Sequence, residues 1–293
     1  MTAAPDPNGL ADFEAHRRAL MGLAYRMLGS RAEAEDVLQD AYLRWHGTDR
    51  ASVEEPRHYL GTVVARLCLD RMKSAQVRRE VYVGPWLPEP VVDEAFGDED
   101  STLAHDISVA LMLTLERLSP LERASFLLHD VFGLEFAEVA RALGRGEAAC
   151  RQLAARARAH IEAGRPRFPA SRADGARLAS AFQAAAASGD TQALRQVLAE
   201  DVVLFTDGGG KRIAALNPIR GAEKVLRFFA GIAAKDPTLL GTQMRAASIN
   251  GLAGLVLRES DGSIDTMAFE HRDGRIVAIY VTRNPEKLHH VRF

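Results

Sequence analysis

Through residues 10–28 the apolar positions Leu10, Phe13, Leu20, Leu23, Ala24, Met27 and Leu28 recur at roughly helical spacing, and Gly29 follows them. That pattern predicts a helix with one buried stripe, ended where glycine tolerates a left-handed backbone. Ser30 and Glu33 then carry the Ser-x-x-Glu signature of a helix start, so a second helix should run to about Trp45 with Val37, Leu38, Ala41, Tyr42 and Trp45 inward. Its first turns hold Glu33, Glu35, Asp36, Gln39 and Asp40, where acids favour the positive end of the helix dipole. The same cluster also suits a docking surface. Pro56 should open a third long helix with Leu60, Val63, Val64, Leu67 and Met72 inward. Its outer face carries Arg57, His58, Arg66, Asp70, Arg71 and Lys73, then Arg78 and Arg79, which suits nucleic acid and plain solvent equally.

Residues 119–161 repeat the helical pattern twice. Ser119, Pro120 and Glu122 make a second capping box, Phe126, Leu127, Val131 and Phe132 supply apolar positions, and Gly133 lets the chain leave the helix. Phe136, Val139, Ala140 and Leu143 form the next stripe, and Gly144 marks a tight turn before a helix that begins near Gly146. On that last helix Ala149, Leu153, Ala157 and Ile161 should pack inward, which leaves Arg145, Glu147, Arg151, Gln152, Arg156 and Arg158 for solvent or a ligand. Turn, caps and stripe agree on a helix-turn-helix. Arginine grips guanine in the major groove with two hydrogen bonds, glutamine does the same to adenine, and either holds phosphate.

Between these blocks VYVGPWLPEPVVDEAFGDED breaks the pattern with Pro85, Pro88 and Pro90, an extended linker in which Trp86 and Leu87 are able to dock on a surface. A second break, GRPRFPASRADG, closes the helix-turn-helix block. Beyond residue 172 two short helices around Leu178–Ala185 and Ala193–Leu198 precede a strand at Val202–Phe205, the loop DGGGK, a helix at Glu223–Phe229, and strand-like runs at 242–249, 252–257, 264–269 and 276–281. Gly251, Asp261-Gly262 and Asp273-Gly274 punctuate the strands as hairpin turns. Helices followed by a strand meander imply an α+β domain.

Composition narrows the function classes. The 293 residues suit two or three domains, and a net charge of -2 means that any basic surface for DNA must be local and offset elsewhere. Cys68 and Cys150 lack metal-ligand spacing and make no disulfide framework, so neither a metal nor another cofactor is expected. The N-terminus has no secretory pattern and no apolar run reaches membrane-spanning length, which places the chain in the cytoplasm without a membrane partner.

In order, the first two blocks resemble a bacterial extracytoplasmic-function sigma factor of the sigma-70 family. RAEAEDVLQDAYLRWH at 31–46 looks like the helix with which such factors grip the polymerase clamp, RHYLGTVVARLCLDRMKSAQVRRE at 57–80 is similar to their minus-ten reader, and the helix-turn-helix to their minus-thirty-five reader. The resemblance implies core RNA polymerase contacts at Asp36, Gln39, Asp40 and Arg44. It implies promoter contacts at Arg66, Asp70, Lys73 and Arg78, and at Arg145, Glu147, Arg151, Gln152 and Arg156. Leu67 stands where many such factors have Asn, and Gly146 where many start the recognition helix with Ser.

The remainder resembles the group with a fused SnoaL-like domain of the cone-shaped ketosteroid-isomerase class. Three motifs carry this: WLPEP with Trp86, Leu87 and Pro88; DGGGK at Asp207, Gly208, Gly209, Gly210 and Lys211; and NPEKL at Asn284, Pro285, Glu286, Lys287 and Leu288. The resemblance implies that these are interdomain regulatory residues and that the extra domain acts in cis in place of a separate anti-sigma protein. The expected layout is a region 2 bundle at 10–80, a linker at 81–101, region 4 at 102–168 and the SnoaL-like domain at 172–293.

Two further readings stay open: a helix-turn-helix regulator that works without polymerase, and an isomerase- or cyclase-type enzyme housed in the cone domain. For the second, Asp201, Asp207, Asp265, His271 and Tyr280 are acid-base candidates, but fold analogy is weak warrant for chemistry and no catalytic residue is assigned. The domain leaves room for a small-molecule ligand. DGGGK lacks the Walker spacing, with Arg212 where a Ser or Thr belongs, and reads as a tight glycine turn. His289 and His290 read as polar tail residues.

Overall fold

A computed structural model of the chain describes residues 9–79, 82–93, 108–164, 171–235 and 243–293; the side chains of a few of these, Arg78 among them, are outside the description, as are the expected linker beyond Asp93 and the break at 165–170. The chain divides into two units, Met1–Glu80 with Ala110–Arg165, and Val81–Val109 with Pro166–Phe293.

In the first unit α1 (Leu10–Leu28), α2 (Arg31–His46) and α3 (Pro56–Arg79) form a bundle. Gly29 ends α1 at φ 71°, and the Ser30 hydroxyl accepts from the Glu33 amide to open α2. The inward residues are those the spacing predicts, except Leu10, which is about half exposed at the first turn, and Tyr42, which is half-buried with its ring against Phe13. α4 (Val109–Glu116) leads to α5 (Pro120–Phe126), which opens on the reciprocal Ser119–Glu122 capping box and continues with wider π-type bonding through Val131. α6 (Phe136–Leu143) ends at Gly144, φ 61°, and α7 (Glu147–Gly164) packs on α5.

The register of α7 differs from the expected one. Cys150, Ala154, Ala157 and Ile161 are buried, whereas Ala149 is exposed and Leu153 half-buried. Spacings of four, three and four residues hold one face of a 3.6-residue helix, while a strict four-residue repeat drifts around it. Val131, expected inward, is likewise exposed because the wider turn at the end of α5 rotates it outward. Gly61 has a packing reason: a Cβ there would stand 2.5 Å from Phe132 Cε1, so a larger residue on α3 would displace the phenyl ring.

The second unit is α+β. After α8 (Arg172–Ser188) and α9 (Thr191–Val197) come β2 (Leu198–Asp207), β3 (Ile219–Arg220), α10 (Ala222–Lys235) and the strands β4 (Gln243–Ile249), β5 (Leu252–Arg258), β6 (Ile264–Arg272) and β7 (Arg275–Thr282). Leu198, expected to finish α9, begins β2 instead. β1 (Val92–Asp93) comes from the linker and pairs with β4. The sheet order is β1-β4-β5-β6-β7-β2-β3, antiparallel except for β2 beside β7. Gly251, with Asn250, and Asp273-Gly274, all at positive φ, make two-residue hairpin turns where the sequence marks them, whereas Asp261-Gly262 lies in a longer loop closed by Glu259 and Ser263. Leu178, Phe182, Val202, Leu204, Val225, Phe269 and Ile279 form the core between helices and sheet. This is the α+β architecture expected of the SnoaL-like class.

Candidate functional site

On α7 the candidate base-reading residues Arg151, Gln152 and Arg156 are exposed, as is Arg145 just before it. Arg151 pairs with Glu147 and lies over the Phe136 ring, 4.8 Å from its centroid. Arg156 Nε donates to Glu122 Oε1 at 2.7 Å, and Arg158 reaches Asp130 with two bonds of 2.7 and 3.0 Å. Glu122 is held below the usual carboxylate range by the Ser119 hydroxyl first and by Arg156 next. These surface pairs are weak, about 0–1 kcal/mol each, and exchange readily for another anion.

Arg66 on α3 has a stronger commitment. Its guanidinium donates to the Ala142 and Arg141 carbonyls at 2.8 and 2.7 Å, at the C-terminal end of α6, where the helix dipole welcomes a cation. Nearby His58 Nδ1 stands 3.1 Å from Glu138 Oε1, and Arg57 lies 5.1 Å from the centre of the Phe132 ring. Asp70 and Lys73 pair with each other at 2.9 Å on the exposed side. Among the described residues the α3 candidates therefore separate into an exposed pair and one arginine tied to the helix-turn-helix.

Asp36, Gln39, Asp40 and Arg44 fall on one face of α2, and Asp36 and Asp40 are joined by Arg71, at 3.2 and 3.0 Å. Arg71 thus holds two carboxylates in place rather than serving as spare basic charge. Leu43 sits among them and is 68% exposed, an apolar centre that sequence reasoning missed. The signal was present: Leu43 lies four residues after Gln39 and three after Asp40, outside the inward stripe.

In the second unit the three short motifs meet at one carboxylate. Asp207, fully buried at the end of β2, accepts from Tyr82 Oη at 2.5 Å and the Gly209 amide at 3.0 Å through Oδ1. Through Oδ2 it accepts from the Leu87 amide and Lys287 Nζ, both at 2.8 Å. Lys287 also donates to Leu87 O at 2.5 Å and faces the Tyr82 and Trp86 rings at 4.9 and 4.5 Å, so its charge is met by carboxylate, carbonyl and π faces. Asn284 Nδ2 donates to Tyr82 Oη at 3.0 Å, and Lys211 Nζ reaches Glu286 Oε1 at 2.5 Å. Burial first, and then the bond to Asp207, push the Tyr82 phenol up. Gly209, φ 59°, passes so close to Asn284 that no Cβ fits. Tyr82 was the missed member of this group.

Residues 13–78 match Sigma-70 region 2, and residues 108–161 match Sigma-70, region 4. The chain is 40% identical to the ECF RNA polymerase sigma factor SigJ of Mycobacterium tuberculosis, over 95% of this chain and 92% of that one. The chain belongs to the extracytoplasmic-function RNA polymerase sigma factors. It is also 31% identical to the probable ECF RNA polymerase sigma factor SigI of the same organism, over 96% of this chain and 95% of that one. The crystal structure of Mycobacterium tuberculosis SigJ superposes with a TM-score of 0.78 at 37% identity, covering 96% of this chain and 98% of that chain. The region 2 match disfavours a regulator that works without polymerase. No described helix of this sigma factor is long and apolar enough to cross a membrane.

Four of the five acid-base candidates of this sigma factor each bond to a separate group. Exposed Asp201 pairs with Arg272 at 3.3 Å, Tyr280 donates to Glu270 at 2.6 Å, His271 packs where Gly175 lets α8 approach β6, and Asp207 holds the linker. Asp265 is buried with Arg283 Nε 2.8 Å away. Burial nonetheless raises its carboxyl to about 7, against the pull of Arg283, and the neighbouring Glu259, which also pairs with Arg283, adds to the rise. Arg212, on the other side, pairs with Glu259. A carboxyl whose folded value is raised binds an extra proton in the native state, so its contribution to stability falls as pH rises from about 4 toward 7. Asp265→Asn should flatten that part of the profile, read as thermal midpoint against pH; an unchanged slope would place the titration elsewhere.

Proposed function

We propose that this sigma factor recruits core RNA polymerase through the exposed face of α2, with Asp36, Gln39, Asp40 and Arg44 as contacts around Leu43. Arg66, Asp70, Lys73 and Arg78 engage the opened minus-ten element, where unpaired bases are captured and stacked. Arg145, Glu147, Arg151, Gln152 and Arg156 read the minus-thirty-five element in the major groove. The chain acts in the cytoplasm, has no chemistry of its own, and its last unit with the segment 82–93 regulates the promoter readers in cis.

The observation that carries this reading is the likeness to an ECF RNA polymerase sigma factor over 95% of the chain. The exposed acidic and apolar face of α2 supports the polymerase contact. The bonds of Arg66 to Ala142 O and Arg141 O support a less active resting state, since that arginine must give them up before it touches DNA. Leu43→Asp tests the first step: the side chain is exposed, so the melting temperature should stay as it is while co-purification with core polymerase falls about tenfold or more, as for an interface anchor. Undiminished co-purification would move the interface elsewhere.

A further inference from the structure

Glu89, His289 and His290 bring one ligand atom each to within 4.8 Å of one another. Glu89 belongs to the WLPEP segment and the two histidines to the tail after NPEKL, 200 residues later along the chain. Their protons are settled by backbone partners. His290 Nε2 lies 2.8 Å from Pro90 O and His289 Nδ1 lies 3.0 Å from Glu286 O. A carbonyl only accepts, so these two nitrogens are the donors, and in the neutral rings His290 Nδ1 and His289 Nε2 are left with lone pairs. A ring nitrogen given to a backbone carbonyl while the other stays open is the arrangement by which proteins orient metal-binding histidines.

The buried end of the cluster is an imidazole–carboxylate pair. His290 Nδ1 and Glu89 Oε1 face each other at 3.1 Å with side chains only 16% and 5% exposed. A proton on that ring nitrogen makes an imidazolium–carboxylate pair of the two, and a metal ion that displaces the proton meets the same two atoms. Two ligands on one tetrahedral zinc ion, with bonds of about 2.0–2.1 Å, stand roughly 3.4 Å apart, close to this separation. His289, exposed, has freedom to close the third bond and leaves a fourth position open to water.

We propose that Glu89, His289 and His290 bind a divalent transition-metal ion of the zinc type, and that the ion ties the linker to the tail. Two imidazoles and one carboxylate suit such an ion, whereas magnesium and calcium call for oxygen ligands throughout. The site stands beside the Asp207–Lys287 contact and joins the same two segments, so metal adds a second fastening between them. Its ligands must shed protons to bind, so affinity weakens in acid.

Zinc chloride titrated into metal-free full-length protein against a chromophoric chelator tests this, with melting temperature followed in parallel. The expected result is one saturable Zn2+ per chain, unaffected by excess Mg2+, and a rise in melting temperature. His289→Ala and Glu89→Gln should each weaken binding about tenfold or more and abolish the rise, while His16→Ala, outside the cluster, behaves as wild type. Because His289 is exposed, His289→Ala should melt like wild type when a chelator is present, which separates lost binding from lost folding. Failure of the wild-type chain to saturate, or equal affinity in wild type and His289→Ala, overturns the proposal.

Discussion

Asp207→Ala is expected to cost the second unit about 3–5 kcal/mol and to release the segment 82–93 from the loop and tail, because it removes the counter-charge of an ammonium that is already out of water. Lys287 is only 13% exposed and Asp207 not at all, so solvent cannot replace the lost partner in place. The same change strands the Tyr82 hydroxyl and the amides of Leu87 and Gly209, which all bond to that carboxylate. Asp207→Asn keeps acceptor capacity on one atom but not the charge, and should cost less, about 1–3 kcal/mol. Amide hydrogen exchange reads the effect directly: Leu87 and Gly209 should lose protection by roughly 100-fold or more in the alanine variant, with a smaller loss in the asparagine variant. If cis regulation works through this contact, transcription by core polymerase with the alanine variant should exceed that with the wild-type chain, and equal transcript yields would count against it. Protection unchanged in Asp207→Ala would mean that β1 and the other linker bonds hold the segment without the carboxylate.

This hub shows where the sequence was legible and where it was not. Helix starts at Ser30 and Ser119, stops at Gly29 and Gly144, and turns at Asn250-Gly251 and Asp273-Gly274 are local events, set by a few neighbouring residues, and the structure has them where the pattern places them. WLPEP, DGGGK and NPEKL were likewise visible as motifs. That Tyr82 meets Asn284, 202 positions away, is a product of sheet topology, with β2 lying parallel to β7 so that their ends stand side by side. Spacing along the chain carries no record of such a meeting. The same limit explains α7, where the choice between Ala149 and Cys150 as the inward residue depends on how α5 presents its groove. It explains Arg66 too: one basic face of α3 looks uniform in sequence, yet one member of it sits at the end of α6 and the others do not.

Arg123→Ala is expected to destabilise the first unit by about 3–5 kcal/mol and lower its melting temperature by about 10 °C, far more than truncation of an exposed arginine on α7. Arg123 lies on α5 with a side chain 2% exposed, donates to Met27 O at the end of α1 at 2.7 Å, and pairs with Glu116 at 3.1 Å. Burial pushes its guanidinium down to about 10, still charged at neutral pH, so the fold carries an ion that it must keep paired. Removing the arginine leaves a volume the size of its stem, a carbonyl without its donor and a carboxylate without that partner. Arg123→Met fills the volume and should recover part of the loss; full recovery would show that packing, not the bond to Met27, holds α5 against α1. Arg156→Ala, whose partner Glu122 it meets from a side chain 58% exposed, should cost about 0–1 kcal/mol by contrast. The difference sorts the arginines of the helix-turn-helix by job. The buried one fixes α5 against the end of α1, and the exposed ones on α7 hold surface pairs that contribute little to stability.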